Sequence, residues 1–122
     1  MTTMKPTVAS LRRGDIVLVL YPNSDLRTAK TRPAVVVQAD RLQTGLQQIV
    51  LAMITSRMDR SGHPSRVKLL LASPSGRNSG LLRDSVVMTD NLATVLETAL
   101  ERHIGSVPMS DVDAALRRTL GL

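Results

Sequence analysis

The apolar residues of this chain come in short runs rich in Val and Ile, each closed by a cluster of Gly, Pro, Asn, Asp or Ser. That rhythm restricts the fold more than any other feature, because such runs are too short for helices and suit strands. It predicts strands over Asp15 to Leu20, Ala34 to Ala39, Gln48 to Ile54, Arg66 to Leu71 and Asp84 to Thr89. Residues 21–25 and 72–80 are the clearest loops, exposed and suited to covering and uncovering a ligand groove. With one Tyr, no Phe and no Trp, the core must be filled by Leu, Val, Ile, Met and Ala.

Residues 1–10 are Thr-rich and aperiodic, which predicts a loose, flexible tail, and 11–122 read as one domain with a single small core. Leu92, Leu96, Leu100 and Ile104 recur every fourth residue, so that 92–104 admits a helix stopped at Gly105. Further on, Ser110 opens a capping box with Asp113, and Val112, Ala115, Leu116, Thr119 and Leu120 share one stripe. A C-terminal helix ending at Gly121 follows. Short strands followed by one terminal helix imply a mainly β (α+β) fold, a strongly bent antiparallel sheet or semi-open barrel.

Composition excludes several functions. No apolar run is long enough to span a bilayer and the N-terminus lacks a signal-type apolar core, which predicts a soluble, cytoplasmic protein. Without Cys, and with two isolated His, no metal and no cofactor are expected. Charge is uneven: residues 1–90 hold 13 Lys/Arg against 6 Asp/Glu, so the net +6 belongs to the first three quarters. Arg57, Arg60, Arg66, Lys68, Arg77 and Arg83 are opposed locally only by Asp59. Such a surface favours a polyanion or an acidic protein segment.

The run Lys30-Thr31-Arg32-Pro33-Ala34-Val35-Val36-Val37 delivers one cation to the mouth of an apolar strand. Pro33 fixes its own φ and pushes Arg32 out of the helical region, so Arg32 is expected where a rigid sheet meets a loop. Its alternative use is a strand-end ion pair with Asp15 or Asp25.

Arg13-Gly14-Asp15-Ile16-Val17-Leu18-Val19 followed by this run resembles the opening of the MazF/PemK family of toxin ribonucleases, the growth-arresting half of toxin–antitoxin pairs. Ile54-Thr55-Ser56-Arg57, Gly80-Leu81-Leu82-Arg83-Asp84-Ser85-Val86-Val87 and the stretch through Leu116, Leu120 and Gly121 keep the family's order. The resemblance covers about Leu11 to the end. It implies an SH3-like semi-open barrel shared with the gyrase poison CcdB, and short strands near 93–95 and 102–104 rather than a helix.

The resemblance also implies a chemistry, metal-independent cleavage of single-stranded mRNA by its own 2′-hydroxyl, leaving 2′,3′-cyclic phosphate and 5′-hydroxyl ends. Arg32 suits neutralisation of the phosphate, since a guanidinium fork meets two oxygens at once. Thr55 aligns with the family's catalytic hydroxyl, although a strand-end Thr commonly satisfies a carbonyl instead. Asp90 falls at the family's acidic position and completes the candidate catalytic set. Asn91 stands where the family has Gln, and Met88 where some relatives have a catalytic Arg. Lys30, Ser56, Arg57, Arg77, Arg83 and Asn91 are the candidate RNA contacts. Asp84 and Ser85 are expected to serve the backbone, and His63, by pKa the natural acid–base, is assigned no role. Implied partners are single-stranded RNA, a second copy in a homodimer, and an antitoxin whose acidic disordered tail occupies the groove. The alternatives are a CcdB-like toxin binding DNA gyrase, or a catalytically weakened RNA-binding relative.

Overall fold

The structure, a computed structural model, describes residues 5–122. Six strands, β1 (Asp15–Pro22), β2 (Ala29–Val36), β3 (Gln48–Thr55), β4 (Arg66–Leu69), β5 (Ser85–Leu96) and β6 (Leu100–Ser106), precede one helix, α1 (Ser110–Leu120). All pairings are antiparallel, in the order β4-β5-β3-β2-β1-β6. The sheet is therefore not closed, and β4 and β6 are its edges. The mainly β architecture with a terminal helix is the expected one.

Period-two alternation gives the sheet two buried faces. Val17, Val19, Tyr21, Val36, Leu51, Met53, Val86 and Met88 form one core, while Ile16, Val35, Ala52, Ile54, Leu69 and Val87 form the other beneath Val112 and Leu116 of α1. Tyr21, the chain's one aromatic residue, is fully buried, and its hydroxyl donates to the carbonyl of Asn91 at 2.7 Å.

Several boundaries differ from expectation. β2 begins at Ala29 and ends at Val36, so Arg32 lies within a strand, opposite Val19, rather than at its mouth. β1 pairs with β2 over Ala29 to Val35, but β3 joins only at Ala34, so Pro33 occupies a stretch that is still an edge, where its missing N–H is tolerated. β4 stops at Leu69. β5 runs on through Leu96, and residues 92–104 are β5, a short 3₁₀ turn at Glu97–Ala99, and β6. The fourfold Leu spacing there is not helical.

The capping box at Ser110 does not form: Ser110 is already helical, Met109 precedes it without a side-chain cap, and the Asp113 carboxylate pairs with Arg13 at 2.6 Å. Gly121 closes α1 in the left-handed region, as expected. Thr119 meets Thr89 at 2.8 Å, and Leu120 is exposed rather than part of the buried stripe. Of the tail expected over 1–10, residues 1–4 lie outside the described residues. The rest is docked, with a 3₁₀ turn at Val8–Ser10 and the Val8 N–H donating to Glu97 at 2.7 Å.

Candidate functional site

β1 and β2 continue beyond the shared sheet as a hairpin, and the long β4–β5 connection, residues 70–84, returns across the β6 edge. Between them opens a cleft of about 920 Å³. The connection reaches so close because two glycines meet there. A Cβ on Gly80 would collide with the Ile104 carbonyl, and one on Gly105 with the backbone of Ser79 and Asn78. Gly80 also needs its φ of +73°. The Ser106 N–H donates to the Asn78 carbonyl at 2.9 Å, pinning the crossing. Beyond it, Leu82, 93% exposed, and Arg83 stand at the cleft mouth.

The cleft gathers Lys30, Arg32, Arg57, Arg60, Arg83 and Arg102 against one carboxylate, Asp25. Arg32 is half-buried, its Nε buried without a hydrogen-bond partner, and one terminal nitrogen donates to Asn23 Oδ1 at 3.3 Å. No ion pair among the described residues uses it. The strand-end pairing is absent because both acids are engaged elsewhere. Asp15 faces His103 at 3.4 Å, and Asp25 accepts from Arg27 and Thr28. A half-buried guanidinium lacking a counter-charge is suited to meeting an anion.

Thr55, the last residue of β3 and 7% exposed, accepts from the Arg57 N–H at 3.2 Å through its hydroxyl oxygen, which leaves the hydroxyl proton free to donate. Ser56 and Arg57 follow it into the cleft, and the Arg57 guanidinium is held by Asp59 at 3.0 Å. That hydrogen bond, then the neighbouring charge, keeps the Asp59 carboxyl below its ordinary range.

Among the sequence candidates, the cleft unites Lys30, Arg32, Thr55, Ser56, Arg57, Arg83 and Asn91. Asp90 and Arg77 are not among its lining residues. The divergence of Asp90 and Asn91 comes from a bulge in β5. Ala52 faces Leu92 while Met53 faces Met88, so residues 89–91 have no partner on β3. Asn91 turns to the cleft, its amide donating to Met53 Sδ at 3.4 Å. Asp90 turns to Arg66 of the edge strand, at 2.8 Å, and this hydrogen bond holds its carboxyl below the usual range. Met88 is core. Asp84 accepts the Leu71 N–H at 2.8 Å, and His63 bonds Ser65 at 2.7 Å outside the cleft. Asn23, Asp25, Thr28, Arg60 and Arg102 also line the cleft. The sequence places Asn23 and Asp25 in a loop suited to covering a groove and Arg60 on a basic surface, but names none of the five as a site residue, although Asn and Asp closely followed by Thr in a hairpin loop is a signal for side chains bonding one another.

No cluster of three or more His, Cys, Asp or Glu suited to a metal ion occurs among the described residues. No described helix is long and apolar enough to cross a membrane.

Residues 12–120 match the family described as "PemK-like, MazF-like toxin of type II toxin-antitoxin system". The chain belongs to this family. MazF-like relatives include endoribonuclease MazF6 of Mycobacterium tuberculosis and endoribonuclease MazF2 of Mycobacterium bovis, each 36% identical over 107 residues that span 84% of this chain and 90% of the relative. Among solved structures, the Mycobacterium tuberculosis toxin MazF-mt6 superposes with a TM-score of 0.67 at 25% identity, covering 90% of this chain and 98% of that one. MazF of Deinococcus radiodurans shares the fold, with a TM-score of 0.64 at 18% identity over 98% and 100% of the two chains.

Proposed function

We propose that this MazF-like toxin is a metal-independent, sequence-selective endoribonuclease for single-stranded mRNA, and that the cleft is where the RNA lies. The observation that carries this reading is Arg32, buried at Nε and free of any carboxylate in a cleft where six cations face one acid. Arg32 takes the scissile phosphate, and the Thr55 hydroxyl donates to a non-bridging oxygen as charge accumulates there. The substrate's 2′-oxygen bonds phosphorus as the 5′-oxygen departs, and the proton lost by the 2′-hydroxyl is matched by the one the 5′-oxygen gains. The products carry 2′,3′-cyclic phosphate and 5′-hydroxyl ends. Lys30, Ser56, Arg57, Arg83 and Asn91 contact the flanking nucleotides. We leave Asp90 out of the chemistry because its carboxylate is committed to Arg66.

The same cleft receives an acidic segment of a cognate antitoxin, and the toxin works in the cytoplasm as a homodimer. A structural neighbour, an endoribonuclease from mycobacterial species solved in complex with its cognate antitoxin, supports the antitoxin. The gyrase-binding and weakened-enzyme alternatives gain no support from relatives that carry endoribonuclease names.

Cleavage of single-stranded RNA in the presence of EDTA is the test. Arg32→Ala abolishes it and Arg32→Lys restores only part, because an ammonium lacks the two-pronged fork. Activity that vanishes with chelation and returns with magnesium, or that survives Arg32→Ala in a folded protein, overturns the mechanism.

A further inference from the structure

The guanidinium at the heart of the cleft has one hydrogen-bond acceptor, the amide oxygen of Asn23 at 3.3 Å. An amide can present either its oxygen or its NH₂, and only the oxygen can hold an arginine. What decides between them lies on the other side of Asn23. Its Nδ2 donates to the Thr28 hydroxyl at 2.9 Å, and that hydroxyl donates to the Asp25 carboxylate, 2.9 Å from one oxygen. Thr28 has a single proton. Because an ionised carboxylate only accepts, that proton goes to Asp25, and the Thr28 oxygen can only accept from Asn23. The amide must then turn NH₂ toward Thr28 and oxygen toward Arg32.

The hairpin loop that carries these residues is held for the purpose. Asp25 also accepts the N–H groups of Arg27 at 2.9 Å and Thr28 at 3.0 Å, and these bonds keep its carboxyl below the ordinary range. Asn23 exchanges backbone bonds with Thr28 and Leu26, at 2.9 and 3.0 Å. Leu26, between them, is forced to a φ of 59°, a left-handed conformation that a leucine adopts only when its surroundings impose it. A strained residue inside a fully bonded loop marks a shape that is being enforced.

We propose that Asn23 is a positioning residue for Arg32, and that Thr28 and Asp25 set the orientation of its amide. This rests on the reading of Arg32 as the phosphate contact. The relay leaves Nε of Arg32 uncommitted while tethering one terminal nitrogen, which narrows the orientations of the guanidinium before a phosphate arrives. Asn23 touches no reacting atom in this scheme; it acts through Arg32.

The test compares Asn23→Ala, Thr28→Val and Thr28→Ser in the full chain. One readout is independent of activity: solvent exchange of the Arg32 Nε–H, followed by NMR. The other is single-turnover cleavage of a mixed-sequence single-stranded RNA, with affinity measured on the same RNA carrying 2′-O-methyl groups. Exchange should quicken, and cleavage slow, by about tenfold or more in Asn23→Ala and Thr28→Val, while affinity stays within about twofold. Thr28→Ser, which keeps the hydroxyl, should match the original on every measure. A Thr28→Val protein that matches the original, or a Thr28→Ser protein as impaired as Thr28→Val, overturns the relay. If the unmodified protein leaves RNA intact but its Arg32 signal still responds to Thr28→Val and recovers in Thr28→Ser, the relay stands and the ribonuclease reading falls. Thr28 is exposed and Asn23 half-buried, and thermal melts of each variant confirm that the fold persists.

Discussion

Asp90 and Asn91 are neighbours in the chain, yet the β5 bulge sends the first to a salt bridge with Arg66 and the second to the cleft. The pairing depresses the Asp90 carboxyl, so its contribution to stability is present above the unfolded value near 3.8 and is lost as pH falls through the lower folded value. With side-chain exposures of 26% for Arg66 and 36% for Asp90, the pair is screened, and Asp90→Asn should cost at most about 1 kcal/mol at neutral pH. Urea melts should show that difference shrinking below about pH 4, and cleavage should stay near the unmodified level. Loss of cleavage in a folded Asp90→Asn protein would return the residue to the chemistry. Family order located this position in the sequence, but a bulge depends on which strands pair and leaves no compositional mark. Arg32 was legible as a cation beside an apolar strand. Its freedom from carboxylates was not, since Asp15 and Asp25 lie close in sequence and only folding engages them elsewhere.

At the level of elements, the β-branched runs located the strands because each is buried on at least one face of the sheet. Their ends were less visible: β2 extends back through Lys30 and Arg32 because β1 offers them a partner, something no local propensity encodes. Leu92, Leu96, Leu100 and Ile104 fit either a helix face or alternate positions on two strands, and periodicity alone does not separate these. The capping box at Ser110 lost to a distant competitor, since Arg13 holds the Asp113 carboxylate. The crossing of the 70–84 connection over β6 was likewise invisible, because it needs two glycines far apart in sequence. Gly105→Ala places a methyl group against the Ser79 and Asn78 backbone, and the fold should lose about 2 kcal/mol or more, read as a lower urea midpoint. The displaced connection carries Leu82 and Arg83 with it, so RNA affinity should fall as well. Unchanged stability would mean that the connection is free to move.

Across the whole molecule, the net charge of +6 matters through its placement. If RNA lies in the cleft, log affinity falls with log salt by about 0.7 for each phosphate neutralised. Arg83→Glu and Arg102→Glu should each flatten that slope by about one contact, whereas Arg77→Glu, outside the lining, should leave it unchanged although it alters net charge equally. Equal effects from all three would show that a diffuse field, not a cleft, attracts RNA. The poverty in aromatics has an optical consequence. Tyr21 is the chain's sole fluorophore, burial pushes its phenol well above the ordinary pKa, and its hydroxyl is tied to the backbone of a cleft residue. Tyrosine emission, free of tryptophan, therefore reports from directly behind the cleft wall, so occupancy by RNA or peptide can be followed without a label. The same scarcity makes ultraviolet absorbance a poor gauge of concentration, since traces of co-purifying nucleic acid outshine a single phenol.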